Sequence, residues 1–417
     1  AEAAPRRPNI VFFLCDDLGP GDVGACGGKD IQTPNIDTLF ARGTRLSWHW
    51  AGCAVCAPSR CVLMTGKHPG HAVVRSNREV NPEGQYPMPE GTVTLVSILH
   101  DAGYATGGFG KWGLGAPGSV SDPVACGFDR FFGYNCQRQA HSFYPDHLWD
   151  NRERVELDNP PLRREPHERV VSPDEADIDA AFAPFSGKHY SADLIAARQL
   201  DFIREHADEP FFLYVPTTVP HLALQVPADE PSLAHYREHF GDEEPYLGGR
   251  GYVPCRTPLA TYAAMVTRMD REVGRIVKLL DERGLTDDTI FVFSSDNGAA
   301  APGTGGVDTD RLDSNGPFHG WKGSPYEGGL RVPTVIVWPG RIPAGKSLDV
   351  PTGFEDWMPT LLDLAGLEEK IPEGIDGGSL ASELVGGPVA VGRSLYRELT
   401  EGQWQAVTNG RWKLIRK

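Results

Sequence analysis

Nothing in this chain is long enough and apolar enough to form a membrane-spanning helix, which takes about 20 consecutive apolar residues. Positive charge is also in short supply: 40 Lys and Arg stand against 56 Asp and Glu, a net charge of -16. So acidic a balance argues against nucleic acid as a partner. It repels anionic ligands at long range too, so any anion site must rely on nearby Lys, Arg or a metal ion. The 8 cysteines lack the paired Cys-x-x-Cys spacing of a structural zinc site, and Cys53 and Cys56 form a lone pair. An even count permits disulfides without demonstrating them. No Asn-x-Ser/Thr glycosylation acceptor occurs. What is present is ordinary for a globular protein: 40% hydrophobic and 23% charged residues over 417 positions. That length can bury the core of one large α/β domain with a smaller companion.

Short apolar runs end in residues with chemistry. Pro8 to Leu14 reads as a strand buried on both faces and runs into Asp16-Asp17, with a turn at Gly19-Pro20-Gly21. Pro210 to Pro216 leads to His221, and Thr289 to Ser294 leads to Asp296-Asn297. Thr334 to Trp338 is a further strand. Amphipathic helical patterns occupy 92–102, 191–206, 259–284 and 356–366. Strands alternating with such helices predict a large, mostly parallel sheet sandwiched by helices, with ligands at the C-terminal strand ends. Adjacent carboxylates there are costly unless paired or bound to metal. Asp16, Asp17, Asp296 and Asn297 together offer four oxygen donors from two strands, a set suited to Ca²⁺ or Mg²⁺.

The chain is organised around Cys53 to Lys67. Pro58 fits a first helical turn and Gly66 a helix stop, which puts Cys56 at a helix N-terminus. Free N–H groups and the helix dipole favour an anion there, and Arg60, one turn on, adds positive charge. Tyr104 to Gly115 reads as a strand breaking into a glycine-rich loop, whose glycines allow backbone to approach a ligand and whose Lys111 brings a point charge. Phe131 to Trp149 mixes aromatics with amides and imidazoles, a combination that suits sugars. Arg138 and His141 are the candidates there for specificity. Arg75, Asn77 and His319 complete the candidate substrate contacts. Residues 151–184 read as a surface excursion or lid, and 228–256 as a polar insertion.

Cys56-Ala-Pro-Ser-Arg60, followed by Thr65-Gly66, resembles the signature of the type I sulfatases, within the alkaline phosphatase superfamily. The other motifs recur in family order. The resemblance implies an alkaline-phosphatase-like α/β domain over 1–345 and a small α+β C-terminal subdomain over 346–417. Family members continue with further strands, so the chain reads as truncated or as part of a longer protein. The resemblance further implies that a formylglycine-generating or anaerobic sulfatase-maturating enzyme oxidises Cys56 to formylglycine. Its hydrate would attack sulfur in line, backed by Ca²⁺ (Mg²⁺ as the alternative) on Asp16, Asp17, Asp296, Asn297 and residue 56. Lys111, Lys322 and Arg60 would offset developing charge, and His221 would protonate the leaving sugar oxygen. Gly113 departs from the family, which carries a histidine there for proton transfer at the hydrate. The expected substrate is a sulfated saccharide attacked in exo fashion, as in carbohydrate sulfatases of bacteria. A phosphatase or phosphonate monoester hydrolase, or an inactive sulfated-glycan-binding homologue, are the alternatives. The start, Ala-Glu-Ala-Ala-Pro, reads as the end left by signal-peptide removal or by expression, and with the missing glycosylation acceptors it suggests a periplasmic or secreted bacterial enzyme.

Overall fold

A computed structural model describes residues 7–160, 171–172, 178–249, 251–389 and 393–417. Parts of the expected 151–184 excursion therefore lie outside the described residues. Fifteen strands are described: β1 Asn9–Cys15, β2 Thr44–Leu46, β3 His49–Trp50, β4 Ala105–Lys111, β5 Arg130–Tyr134, β6 His147–Asp150, β7 Glu153–Glu156, β8 Phe211–Pro216, β9 Thr289–Ser295, β10 Val335–Val337, β11 Lys346–Leu348, β12 Thr352–Gly353, β13 Leu395–Leu399, β14 Trp404–Thr408 and β15 Lys413–Arg416. Ten of them form one sheet in the order β11-β2-β10-β9-β1-β8-β4-β5-β6-β7. Its centre, β9-β1-β8-β4-β5, is parallel throughout.

The continuous apolar runs follow from burial on both faces. Along β1, Val11 and Phe13 enter one core layer with Leu213, Val215, Phe291 and Phe293, covered by the helices Pro258–Glu282 and Ser191–Glu205. Ile10, Phe12 and Leu14 enter the other with Phe212, Tyr214, Ile290 and Val292, under the helices Cys56–Thr65, Leu95–Asp101 and Trp357–Leu364. Shifting β1 by one residue would exchange the two sets, so its register is strongly specified.

The C-terminal strands β13, β14 and β15 make a separate antiparallel sheet. Leu395, Leu399, Trp404 and Ala406 bury against Trp50, Cys53, Ala54 and Val55, the segment that leads into Cys56. Arg397, fully buried, grips Glu355 with both terminal nitrogens at 3.0 and 2.7 Å and donates from Nε to the Ala51 carbonyl at 2.6 Å. The small sheet thus braces the Cys56 loop from outside the main sheet.

Two sequence expectations change here. The glycines of β4 face neighbouring protein rather than a ligand: a Cβ at Gly107 or Gly108 would meet Phe202 or Phe128, and one at Gly110 would lie 2.0 Å from the Pro216 carbonyl of β8. Strand packing accounts for them. The aromatics of 131–149 are mostly core, with Phe131, Phe132, Tyr134, Phe143 and Tyr144 all buried.

Candidate active site

Four neighbouring parallel strands, β9, β1, β8 and β4, end at the same edge of the sheet and each delivers part of the site. β1 continues into Asp16 and Asp17, β9 into Asp296 and Asn297, β8 into the turn before His221, and β4 ends on Lys111. Asp17 adopts φ +66°, an uncommon value for a non-glycine residue. That turn breaks the alternation of a strand and lets two successive carboxylates enter one site. Asp17 N–H donates to Asp296 Oδ1 at 3.3 Å, and Asp296 N–H donates to the Cys15 carbonyl at 2.9 Å, which locks the two strand ends together.

Cys56 is the first residue of its helix, as the proline and glycine positions predict, and Gly66 closes it in the left-handed conformation. Its Sγ lies 3.4 Å from Asp16 Oδ1. Burial, reinforced by Asp16 and only partly opposed by Lys111 and Lys322, pushes the Cys56 thiol up to about 12. An unmodified Cys56 is therefore not a thiolate at neutral pH and is a poor nucleophile.

The charges around it are balanced pairwise. Lys111 Nζ sits 2.6 Å from Asp16 Oδ2, and Lys322 Nζ sits 2.8 Å from Asp17. Arg60, fully buried, donates to Asp296 from Nε at 3.1 Å and Nη2 at 2.9 Å, lies 3.3 Å from Asp16, and gives Nη1 to the Lys111 carbonyl. Burial disfavours charge on Asp16, but Lys111 and Arg60 more than offset it and hold the carboxyl well below the usual range. Burial and the adjacent Asp16 push Asp296 the other way, upward. Burial also opposes charge on Lys322, yet Asp17 outweighs it and raises the ammonium.

His221 donates from Nδ1 to the Leu222 carbonyl at 2.6 Å, which fixes the tautomer and leaves Nε2 facing Asp17 Oδ2 at 3.6 Å. Burial and then Lys322 hold this imidazole well below its ordinary value, so it is neutral. His141 stacks on it with ring centroids 4.7 Å apart. Tyr252 lies 5.3 Å from His141 and 6.3 Å from His221, ring to ring. It comes from the 228–256 insertion, where no sequence pattern marked it. Nothing short of the fold could show that this insertion reaches the site.

The remaining candidates lie further out. Asn77 Oδ1 accepts from Ala57 N–H at 3.0 Å and so caps the Cys56 helix. Arg75 pairs with Glu398 of the small sheet. Arg138 pairs with Glu79 at 3.1 Å with 62% of its side chain exposed. His319 packs on Tyr326, ring centroids 4.6 Å apart, in the loop before Lys322. All eight cysteines are free.

The donor set fits a hard divalent cation. Asp16, Asp17, Cys56 and His221 each offer a ligand atom within 4.8 Å of the others. Asn297 donates through Nδ2 to Asp17 at 2.7 Å, while its Oδ1, buried, has no hydrogen-bond partner among the described residues. A buried carbonyl oxygen on a side chain held against the Asp17 carboxylate is the kind of oxygen ligand Ca²⁺ takes.

Comparison with known proteins identifies the family. Residues 8–367 match the family model described as Sulfatase. The chain is 32% identical to N-acetylgalactosamine-6-sulfatase of Canis lupus familiaris over 93% of this chain and 68% of that one. It is 30% identical to steryl-sulfatase of Mus musculus over 93% of this chain and 66% of that one. It thus spans about two thirds of the length of these curated relatives. Among solved structures, Ps i-CgsB in complex with k-i-k-neocarrahexaose superposes with a TM-score of 0.77 at 26% identity, covering 99% of this chain and 86% of that one. The phosphonate monoester hydrolase of Agrobacterium radiobacter shares the fold, with a TM-score of 0.63 at 21% identity over 98% of this chain and 87% of that one. With the family model covering most of its length and the signature cysteine set among three carboxylates, two lysines and an arginine, this chain belongs to the sulfatases, hydrolases of sulfuric esters.

Proposed function

We propose that this protein removes sulfate from a saccharide, acting on chain ends, with formylglycine at position 56 and Ca²⁺ held by Asp16, Asp17, Asp296 and Asn297. The observation that carries the reading is the setting of Cys56: a thiol pushed up to about 12, 3.4 Å from Asp16, at a helix N-terminus. Such a thiol is inert as it stands, and its position makes sense once the residue is oxidised. When present, the cation supplies a fixed double positive charge for a sulfate oxygen, and formylglycine supplies the carbon that carries the nucleophilic oxygen.

The chain's own residues do the rest. Lys111 and Lys322 are point-charge ammonium groups already at the site, each with several donors, and a bound sulfate offers those donors new partners. Arg60 has its donors committed to Asp296, Asp16 and the Lys111 carbonyl, so it holds the carboxylates in register. His221 Nε2 carries a lone pair and no hydrogen. The negative charge of a sulfate monoester favours its protonated form, which can then pass a proton to the leaving sugar oxygen. The Nδ1 bond to Leu222 keeps the ring in that orientation. The overall net charge of -16 suits a compact pocket with local cations better than a long basic groove, hence attack on chain ends.

The test is co-expression with a formylglycine-generating enzyme and mass spectrometry of the peptide holding residue 56, followed by turnover of sulfated monosaccharides and of matched aryl sulfate and aryl phosphate esters. An aldehyde at position 56 together with sulfate release is the expected result. Preference for the phosphate ester, or no turnover of any sulfate ester by the oxidised protein, overturns the reading.

A further inference from the structure

Gly113 has no side chain, yet the space beside it is filled. A Cβ added there would lie 2.1 Å from Gln137 Nε2 and 3.1 Å from its Cδ. The Gln137 carboxamide therefore occupies the volume that any residue 113 side chain would take, two positions beyond Lys111. Gln137 is 4% exposed, and among the described residues neither its Nε2 nor its Oε1 has a hydrogen-bond partner. Its backbone N–H is pinned by Gln85 Oε1 at 3.1 Å, whose own Nε2 is likewise unpartnered. Asn135, fully buried, has both amide atoms unpartnered as well.

Buried amides are nearly always hydrogen-bonded, because leaving one unpaired costs about 1–3 kcal/mol. Their segment is also well placed. It leaves β5, whose last residue Tyr134 pairs with Lys111, and reaches His141, which stacks on His221. It therefore runs between two groups of the site. Among the described residues neither amide atom has a partner, so no hydrogen bond there sets which of Nε2 and Oε1 would turn towards the site. A tetrahedral oxyanion would set it, since it can only accept and, of the two amide atoms, only Nε2 can donate.

We propose that Gln137 is a substrate-binding residue whose Nε2 donates to an oxygen of the bound sulfate group. The assignment rests on the sulfate-ester reading above. Unlike an imidazole, the amide keeps its donor at every pH.

Gln137→Met, of similar volume and without the amide, separates this role from a structural one. Binding of inorganic sulfate to the calcium-loaded protein, followed by isothermal titration calorimetry, should weaken by roughly 10- to 100-fold, the range for a hydrogen bond to a charged group. The thermal midpoint should hold or rise, because the amide makes no bond among the described residues. Gly113→His alone should lower the midpoint by collision with Gln137. Adding Gln137→Gly should recover the part due to collision, leaving the strain of a side chain at φ +77°, and introduce into the pH profile of sulfate binding an ionisation near the imidazole value of about 6.5. Equal sulfate affinity for wild type and Gln137→Met overturns the assignment alone. Wild type that binds no sulfate overturns it together with the reading beneath it.

Discussion

Arg60→Met removes the cation that two buried carboxylates share. Arg60, Asp16 and Asp296 are all fully buried, and the guanidinium reaches Asp296 twice and Asp16 at 3.3 Å. Removing one partner of a buried, hydrogen-bonded ion pair costs about 3–5 kcal/mol, chiefly because the other charge is left uncompensated. Unfolding entropy of about 2.1 cal/mol/K per residue comes to about 0.9 kcal/mol/K for a chain of this length, so the midpoint should fall by roughly 3–6 °C. Differential scanning calorimetry measures it. Arg60→Met with Asp296→Asn should recover part of the loss, since the stranded charge goes too. The two ligands should respond in opposite directions: Ca²⁺ should bind Arg60→Met more tightly than wild type, and sulfate more weakly. A midpoint within about 1 °C of wild type, or Ca²⁺ and sulfate affinities that move together, would refute the placement of Arg60 as the carboxylates' counter-charge.

Titrating Ca²⁺ into chelator-treated protein should raise the midpoint progressively, and Asp17→Asn should blunt the effect; an identical rise in both would remove Asp17 from the ligand set. Glu272, buried in the helix Pro258–Glu282, is pushed by burial and then Asp193 to about 8 from an ordinary 4.5. Its folded form holds the proton more tightly than its unfolded form. Stability from this group is therefore complete below about pH 4.5 and lost as pH rises towards about 8. Glu272→Gln should flatten that decline in a series of thermal melts, whereas an unchanged slope would contradict it. Arg397→Met should strand Glu355 and loosen the small sheet. Faster amide hydrogen exchange in β13 to β15 and in 50–55, with β1 and β9 unaffected, is the expected pattern, and uniform protection would count against the bracing role.

Much of the site could be read from the chain because its chemistry sits at strand ends. A run such as Pro8 to Leu14 announces a buried strand by composition, and a pair such as Asp16-Asp17 just beyond it stands out against the apolar background. The same held for Asp296-Asn297 and for Cys56 between its small residues and Pro58. Gln137 and Tyr252 could not be read this way. Tyr252 lies in a polar insertion where one more ring carries no local signal, and Gln137 lies in the 131–149 stretch, whose amides read as a group with nothing to single one out; long-range packing sets Tyr252 beside His141 and Gln137 beside Gly113. The β4 glycines misled for a related reason: composition shows that a side chain is missing, not which neighbour fills the space.

The amino-acid order alone determined the local matters here: which runs are strands, where the Cys56 helix begins and ends, and which side chains carry charge. Those follow from period, capping and backbone stereochemistry, which act over a few residues. Only the tertiary structure decided that β9, β1, β8 and β4 lie side by side, that Lys111 meets Asp16 while Lys322 meets Asp17, and that Gln137 fills the place left by Gly113. Such pairings join residues up to hundreds of positions apart. They depend on sheet order and on the balance of buried charge, which no local pattern encodes.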